Sequence, residues 1–273
     1  MKRQKDSQGK RGSRPIGIFD SGVGGLTVVK EIRKRLPNEN IIYFGDTARV
    51  PYGTKSKETV VRFSIKNALF LLKYNVKLIV VACNTSSSVA LPTLRRNFKV
   101  PIIGVIKPGA KDASQSTKNK RIGVIGTSTT IRSNAYKNEV LRNIPSVKVF
   151  TQSCPLFVPL AEEGWFDKKI TLDIIREYIL PIKTKAIDTL ILGCTHYPLL
   201  RRGIKKVAGK GINLIDSAVS TAKAVDELLN REEIANKGRL KGKERFFVSD
   251  EPERFKIIGE KFLGKKLPKV RKV

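Results

Sequence analysis

Leu78-Ile-Val-Val-Ala-Cys-Asn-Thr85 is an apolar run that stops abruptly at a thiol, an amide and a hydroxyl, with Ser86, Ser87 and Ser88 behind it. A short continuous run of aliphatic residues, closed by polar ones and followed by a helical pattern, is the mark of a strand buried on both faces. Such strands belong to parallel sheets covered by helices. The pattern recurs along the chain. Strands are predicted at Ile16–Phe19, Ile41–Phe44, Leu78–Ala82, Ile102–Val105, Ile122–Ile125, Val147–Thr151, Thr189–Leu192 and Asn213–Ile215. Between them lie helices such as Lys57–Lys73, where Val61, Ile65, Ala68, Leu69 and Leu72 are expected on one buried face. Alternating strands and helices give the α/β class.

The quoted stretch has a counterpart. Leu190-Ile-Leu-Gly-Cys-Thr-His196 places Cys194 111 residues after Cys83. Likewise Ile122-Gly-Val-Ile, followed by Gly126-Thr-Ser-Thr-Thr130, stands 106 residues after Ile16-Gly-Ile-Phe and its Ser/Gly-rich turn. Two landmarks in the same order at nearly equal offsets imply an approximate duplication. Each half would then carry one cysteine where a strand leaves the carboxyl edge of its sheet, the edge at which open parallel sheets bind ligands.

The 273 residues suffice for one large domain or two of ordinary size. Hydrophobic residues make up 40% of them, enough for a packed core without staples. Cys83, Cys154 and Cys194, odd in number and widely spaced, suit neither a disulfide framework nor paired zinc ligands, so no metal and a reducing cytoplasm are expected. Lys2, Arg3, Lys5, Lys10, Arg11 and Arg14 crowd the beginning, but no apolar stretch follows to form the core of a signal peptide. No run has the length of a membrane span.

With 54 Lys and Arg against 24 Asp and Glu, the net charge is +30. Such a field attracts nucleic acid, anionic lipid or an acidic small substrate, but a solvated basic surface is the simpler reading of it. Both ends, Met1 to Arg14 and Lys265 to Val273, read as flexible basic tails without an aromatic residue to stack on a base. Nucleic-acid binding is therefore expected to be non-specific if it occurs.

Both Cys83 and Cys194 precede helix starts, Ser86 to Ser88 in one case and Tyr197-Pro198 in the other. Unpaired N–H groups there favour a thiolate and hold a carboxylate. A lone buried cysteine is usually a small hydrophobe. Two at matched positions, each followed by polar residues, are candidate acid/base groups. His196, the only histidine, is either a structural hydrogen-bonding residue or a proton relay for Cys194. A Cys-His hydrolase would use this pair too, but would leave Cys83 without a role.

Asp20-Ser-Gly-Val-Gly-Gly25 closes the first strand and reads as a loop for a small anion, with Asp20 available for proton transfer or an ammonium group. It is not a dinucleotide fingerprint, because Thr27 occupies the third glycine position. Tyr52 and Gly53, in a Gly/Pro/Asp-marked loop on the same edge, offer hydroxyl and main-chain groups to a ligand. Glu162 and Glu163 sit on a short helix, where adjacent charges suggest exposure, and Cys154 reads as structural.

Four segments, Phe19-Asp-Ser-Gly-Val-Gly-Gly-Leu-Thr27, Asp46-Thr-Ala-Arg-Val-Pro-Tyr-Gly53, Ala82-Cys-Asn-Thr85 and Gly193-Cys-Thr-His-Tyr-Pro-Leu199, resemble in this order the signature segments of the glutamate racemases. The resemblance spans about Pro15 to Asp216. It implies an α/β protein of two pseudosymmetric domains, each with a mostly parallel sheet flanked by helices, and an active site in the cleft between them. The expected division is 15–105 with 216–273 as one domain, 106–215 as the other, and 1–14 as a basic extension. It further implies interconversion of L- and D-glutamate without pyridoxal phosphate or other cofactor, D-glutamate being supplied for peptidoglycan, and a homodimer.

By motif position the resemblance makes Cys83 and Cys194 the two acid/base thiols, with Asp20 assisting the first and His196 the second. Asp20, Ser21, Tyr52, Gly53, Asn84, Thr85, Thr195 and His196 become substrate contacts. A family glutamate near the second thiol corresponds to Glu162, with Glu163 as the alternative. The basic amino-terminal extension and the high charge depart from the pattern. Racemisation removes a proton from one face of a carbon and returns one to the other, which a fixed thiolate and thiol do without turning the substrate. The hydroxyls of Ser21, Thr85 and Thr195 are expected to hold the developing carbanion's charge. Aspartate racemase is the nearest competing activity, and a nucleic-acid-binding protein is a competitor resting on charge alone.

Overall fold

The computed structural model describes residues 12–273, so the basic stretch through Arg11 lies outside the described residues. All eight expected strands form, with ends that differ by at most two residues: β1 (Ile16–Asp20), β2 (Ile41–Gly45), β3 (Leu78–Val81), β4 (Ile102–Gly104), β5 (Arg121–Gly126), β6 (Lys148–Ser153), β7 (Thr189–Gly193) and β8 (Asn213–Asp216). Two more, β9 (Glu244–Val248) and β10 (Val270–Lys272), complete the set. They make a six-stranded sheet in the order β10-β9-β2-β1-β3-β4 and a four-stranded sheet in the order β6-β5-β7-β8. Every pairing is parallel.

The order β2-β1-β3-β4 in one sheet is repeated as β6-β5-β7-β8 in the other. The two halves are therefore pseudosymmetric, and the strands that carry the two cysteines, β3 and β7, hold equivalent positions beside the central β1 and β5. Each sheet has its own core. Along β1, Ile16 and Ile18 face one layer with Tyr43 and Val80, while Phe19 faces the opposite layer with Ile42, Phe44 and Val81. Both faces are covered because the period-two alternation carries apolar residues on each side. At about 1.5–3 kcal/mol per buried large aliphatic side chain, these layers are the main force holding each half. The helix Ser217–Arg231 follows β8, packs on Leu26–Arg35 and on Ile106–Ser116, and so ties the second half back to the first. Among the described residues, no helix is long and apolar enough to cross a membrane.

The carboxyl-terminal segment is not the flexible tail that its charge suggests. Val270–Lys272 pairs with Phe246–Val248, the Val273 N–H donates to Val248 O at 3.0 Å, Lys272 Nζ meets Asp250 Oδ1 at 2.5 Å, and Leu267 is buried. Main-chain pairing to an available sheet edge and one anchored leucine outweigh the repulsion of a basic run. In the helix Lys57–Leu72 the buried residues are Val60, Ser64, Asn67, Ala68 and Leu71, whereas Leu69 is 50% exposed. Of the expected face, Ala68 lies in the core and Val61, Ile65 and Leu72 pack against it half-buried; Leu69 alone points outward, while Asn67 turns inward as a hydrogen-bond donor to Tyr52.

Candidate active site

The carboxyl ends of β1, β3 and β7 deliver the chemistry. Cys83 follows β3 and caps the helix Asn84–Val89, its Sγ accepting from the Ser86 N–H at 3.4 Å. Cys194 follows β7, and both thiols are buried. Asp20, at the end of β1, is fully buried; its Oδ2 accepts from the N–H groups of Gly22 at 3.2 Å and Gly25 at 2.9 Å, while Oδ1 has no partner. Gly25 is required there, since a Cβ would lie 2.5 Å from Asp20 Cβ and 2.7 Å from the Tyr43 hydroxyl.

Burial pushes the Asp20 carboxyl upward, against the pull of His196 and of the loop N–H groups. Burial, and then the Asp20 charge, push the Cys83 thiol up to about 12, so it rests protonated. On the other side, burial opposes a charged His196, but its contacts with Cys194 and Glu162 outweigh it and raise the imidazole to about 10. His196 Nδ1 lies 3.8 Å from Cys194 Sγ, and Nε2 lies 3.1 Å from Glu162 Oε1. Burial would raise Glu162, but the His196 hydrogen bond holds its carboxyl below the usual range. Glu163 is turned away, exposed and paired with Arg254 at 3.2 Å. Of the two adjacent glutamates, Glu162 is not solvated as adjacent charges suggest, because the imidazole reaches it.

Ser21, Tyr52, Gly53, Cys83, Asn84, Thr85, Cys194, Thr195 and His196 all border one cavity between the halves, with Asp20 and Glu162 behind it. The cavity measures ≈ 20 Å³, room for about one water, so admitting an amino acid requires the halves to part. Gly24 fits against the opposite loop so closely that a Cβ would lie 2.4 Å from Thr195 Oγ1 and 2.5 Å from His196 Nδ1. A Cβ on Gly53 would lie 2.5 Å from Thr127 Cβ. Thr27 Oγ1 donates to Thr195 O at 3.2 Å, and Thr129 Oγ1 reaches Gly53 O at 3.0 Å and Lys55 O at 2.9 Å.

Tyr52 differs from expectation in one respect. Its hydroxyl does not face a ligand but donates to Asp46 and accepts from Asn67 Nδ2 at 3.1 Å, leaving its ring and main chain to the cavity. Asp46 also receives Arg49 Nη1 at 2.8 Å and the Ser249 hydroxyl at 2.9 Å, which fastens the loop to the end of β9. Sequence reasoning passed over several site residues. Thr127 and Thr130 form a buried hydroxyl cluster with Thr85 at 3.0 and 3.3 Å, and Tyr136 donates to Asn84 Oδ1 at 2.7 Å. The signal for the threonines was Gly126-Thr-Ser-Thr-Thr130, the repeat counterpart of the first loop.

A model of the Asp/Glu/hydantoin racemase family matches residues 23–225. A glutamate racemase of Geobacter metallireducens is 52% identical over 260 residues, covering 95% of this chain and 96% of the relative. Among solved structures, a glutamate racemase isoform of Bacillus anthracis superposes with a TM-score of 0.92 at 41% identity, covering 95% of this chain and 97% of that one. The Francisella tularensis glutamate racemase in complex with D-glutamate superposes with a TM-score of 0.90 at 40% identity, covering 96% and 98%.

Proposed function

The chain belongs to the Asp/Glu/hydantoin racemase family, among its glutamate racemases, and on that footing we propose that Cys83 and Cys194 exchange the α-proton of glutamate from opposite faces. The enzyme is an isomerase that interconverts L- and D-glutamate, the D-enantiomer being a building block of peptidoglycan. In one direction a thiolate on one side takes the α-proton as the C–H bond breaks. The thiol on the other side then gives its proton to the opposite face of the carbanion, and the two exchange roles for the reverse reaction. No cofactor takes part.

The two thiols have different partners. Asp20, with an unpartnered Oδ1 and a carboxyl raised by burial, is suited to accept the proton of Cys83. Imidazolium at His196, held by Glu162, stands with Nδ1 3.8 Å from Cys194 Sγ, placed to exchange a proton with it. The hydroxyls of Ser21, Thr85 and Thr195, with nearby N–H groups, hold the carboxylates and the charge that grows as the α-proton leaves. Closure of the halves removes water and strengthens each of these contacts.

The observation that carries this reading is the approach of both cysteines to one cavity from equivalent strand ends. Incubating L- and D-glutamate separately in deuterated water, with the wild type and with Cys83→Ala and Cys194→Ala, tests it. Each variant is expected to lose net racemisation, and full activity in either would overturn the two-thiol assignment. A parallel assay with aspartate is expected to give no turnover. We take the enzyme to be a cytoplasmic homodimer, to be checked by sedimentation, and its +30 charge to bind DNA only non-specifically, with loss of binding by physiological salt.

A further inference from the structure

Tyr136 belongs to the second half, on the helix Ala135–Asn143, yet it touches both thiol-bearing loops. Its hydroxyl donates to Oδ1 of Asn84, the residue after Cys83, at 2.7 Å. Its ring lies against Gly193, the residue before Cys194, where a Cβ would stand 3.1 Å from Tyr136 Cε2. The side chain is buried and adjoins Gly109 and Ser217, so it has little freedom to move. Asn84 borders the cavity and is itself buried, and its Nδ2 has no hydrogen-bond partner.

A primary amide can present either end. With Oδ1 held by a donor hydroxyl, the N–H2 end faces the other way. We propose that Tyr136 is a positioning residue that locks the Asn84 amide with Nδ2 toward the cavity as a donor to a substrate carboxylate, and only when the two halves meet. The donor is thereby assembled by closure: Asn84 comes from the first half and its orienting hydroxyl from the second. When the halves part, Oδ1 loses Tyr136 and the amide is free to turn. An unpartnered buried N–H2 is unfavourable on its own, so the arrangement is held for a ligand that accepts from it. The inference rests on the racemase reading of the cavity, and adds to it a residue that touches neither substrate nor thiol sulfur.

The test is Tyr136→Phe in the full-length enzyme, with steady-state constants in both directions and α-deuterium exchange. Loss of one orienting hydrogen bond is expected to raise KM for both enantiomers by about three- to tenfold, with kcat changing less. Exchange and inversion stay coupled, because both thiols remain. Asn84→Ala is expected to raise KM too, and adding it to Tyr136→Phe should bring little further change, since the two act as one unit. Asn84→Asp keeps an acceptor for Tyr136 but removes the donor, so it should also raise KM while the fold is retained. Unchanged KM in Tyr136→Phe, or simple additivity of the Tyr136 and Asn84 substitutions, would overturn the proposal. Activity persisting in the cysteine variants would instead overturn the two-thiol reading, so the two failures are distinct.

Discussion

His196 Nε2 lies 3.1 Å from Glu162 Oε1 across the wall of the second half, and its other ring nitrogen faces Cys194 at 3.8 Å. One buried imidazole thus joins a carboxylate to a thiol, and its charge is set by both neighbours. Its folded-state pKa, about 10, lies above the ordinary 6.5. The stability this raised value contributes is fully present below about 6.5 and is lost as pH rises toward 10. Glu162, depressed, contributes stability above its ordinary 4.5 that is lost at lower pH. Cys83, also raised, lowers stability at alkaline pH in both wild type and variant. Denaturation midpoints from pH 5 to 10 should therefore show wild type exceeding Glu162→Gln most at about pH 5 to 6.5, with the gap narrowing as pH rises toward 10. A gap that stays constant across the range would show that the pair is not charged.

The Asp20 charge acts on Cys83 in the opposite sense, raising its thiol, so removing that charge should lower the Cys83 pKa. In a Cys194→Ala background, iodoacetamide modification of Cys83 at pH 8 to 9 is expected to run faster for Asp20→Asn than for Asp20. Asp20→Asn with both cysteines present should lose about 10²–10⁴ of the racemisation rate, the usual yield of a positioned proton acceptor. Faster alkylation with slower turnover separates this role from general damage to the site. Slower or unchanged alkylation would remove Asp20 from the Cys83 side.

The helix Lys57–Leu72 gives a test of packing and shows where sequence patterns stop. Leu71 is fully buried and Leu69 half exposed, so Leu71→Ala is expected to cost about 2–4 kcal/mol and Leu69→Ala at most about 0.5 kcal/mol, read from urea unfolding. Equal effects would return Leu69 to the core. The helix and most of its buried face were legible; the outward Leu69 was not, nor the asparagine that turns inward to hold the Tyr52 hydroxyl. Most of the eight strands of the repeat were legible because Ile, Val and Leu crowd them, β6 with its Lys148-Val-Phe-Thr-Gln-Ser153 sequence being the exception. Glu244-Arg-Phe-Phe-Val248 and Val270-Arg-Lys272 mix charged with apolar residues instead of forming an aliphatic run, so only their pairing with β2 and β9 makes them strands.

The site follows the same logic. Asp20, Cys83, Cys194 and His196 were legible because reactive types stood at strand ends in a repeated order. Glu162 is 34 residues from His196 and Tyr136 is 52 from Asn84 in the chain, and no local pattern connects them. Their partnerships are made by the meeting of the two halves and by the packing of loops within each.

That meeting depends on Gly24. A methyl group there would fall 2.4 Å from Thr195 Oγ1 and 2.5 Å from His196 Nδ1, distances that real Cβ atoms do not keep. Gly24→Ala therefore pushes the first loop away from the loop carrying Cys194, or displaces His196 from its carboxylate and thiol. Neither half draws its core from this contact, because the aliphatic layers around Ile18 and Leu192 are separate. Thermal unfolding of Gly24→Ala is thus expected near that of wild type, whereas kcat/KM falls by about 10²-fold or more, the penalty of misplacing reacting groups by about an ångström. Gly53→Ala, which meets Thr127 Cβ at 2.5 Å, is its counterpart at the other side of the cavity and should behave alike. Both variants lie outside the proton-transfer chemistry, so residual turnover should keep coupled exchange and inversion in deuterated water. Wild-type kcat/KM in Gly24→Ala would mean that catalysis does not depend on the close fit of the Asp20 loop against the loop that carries Cys194.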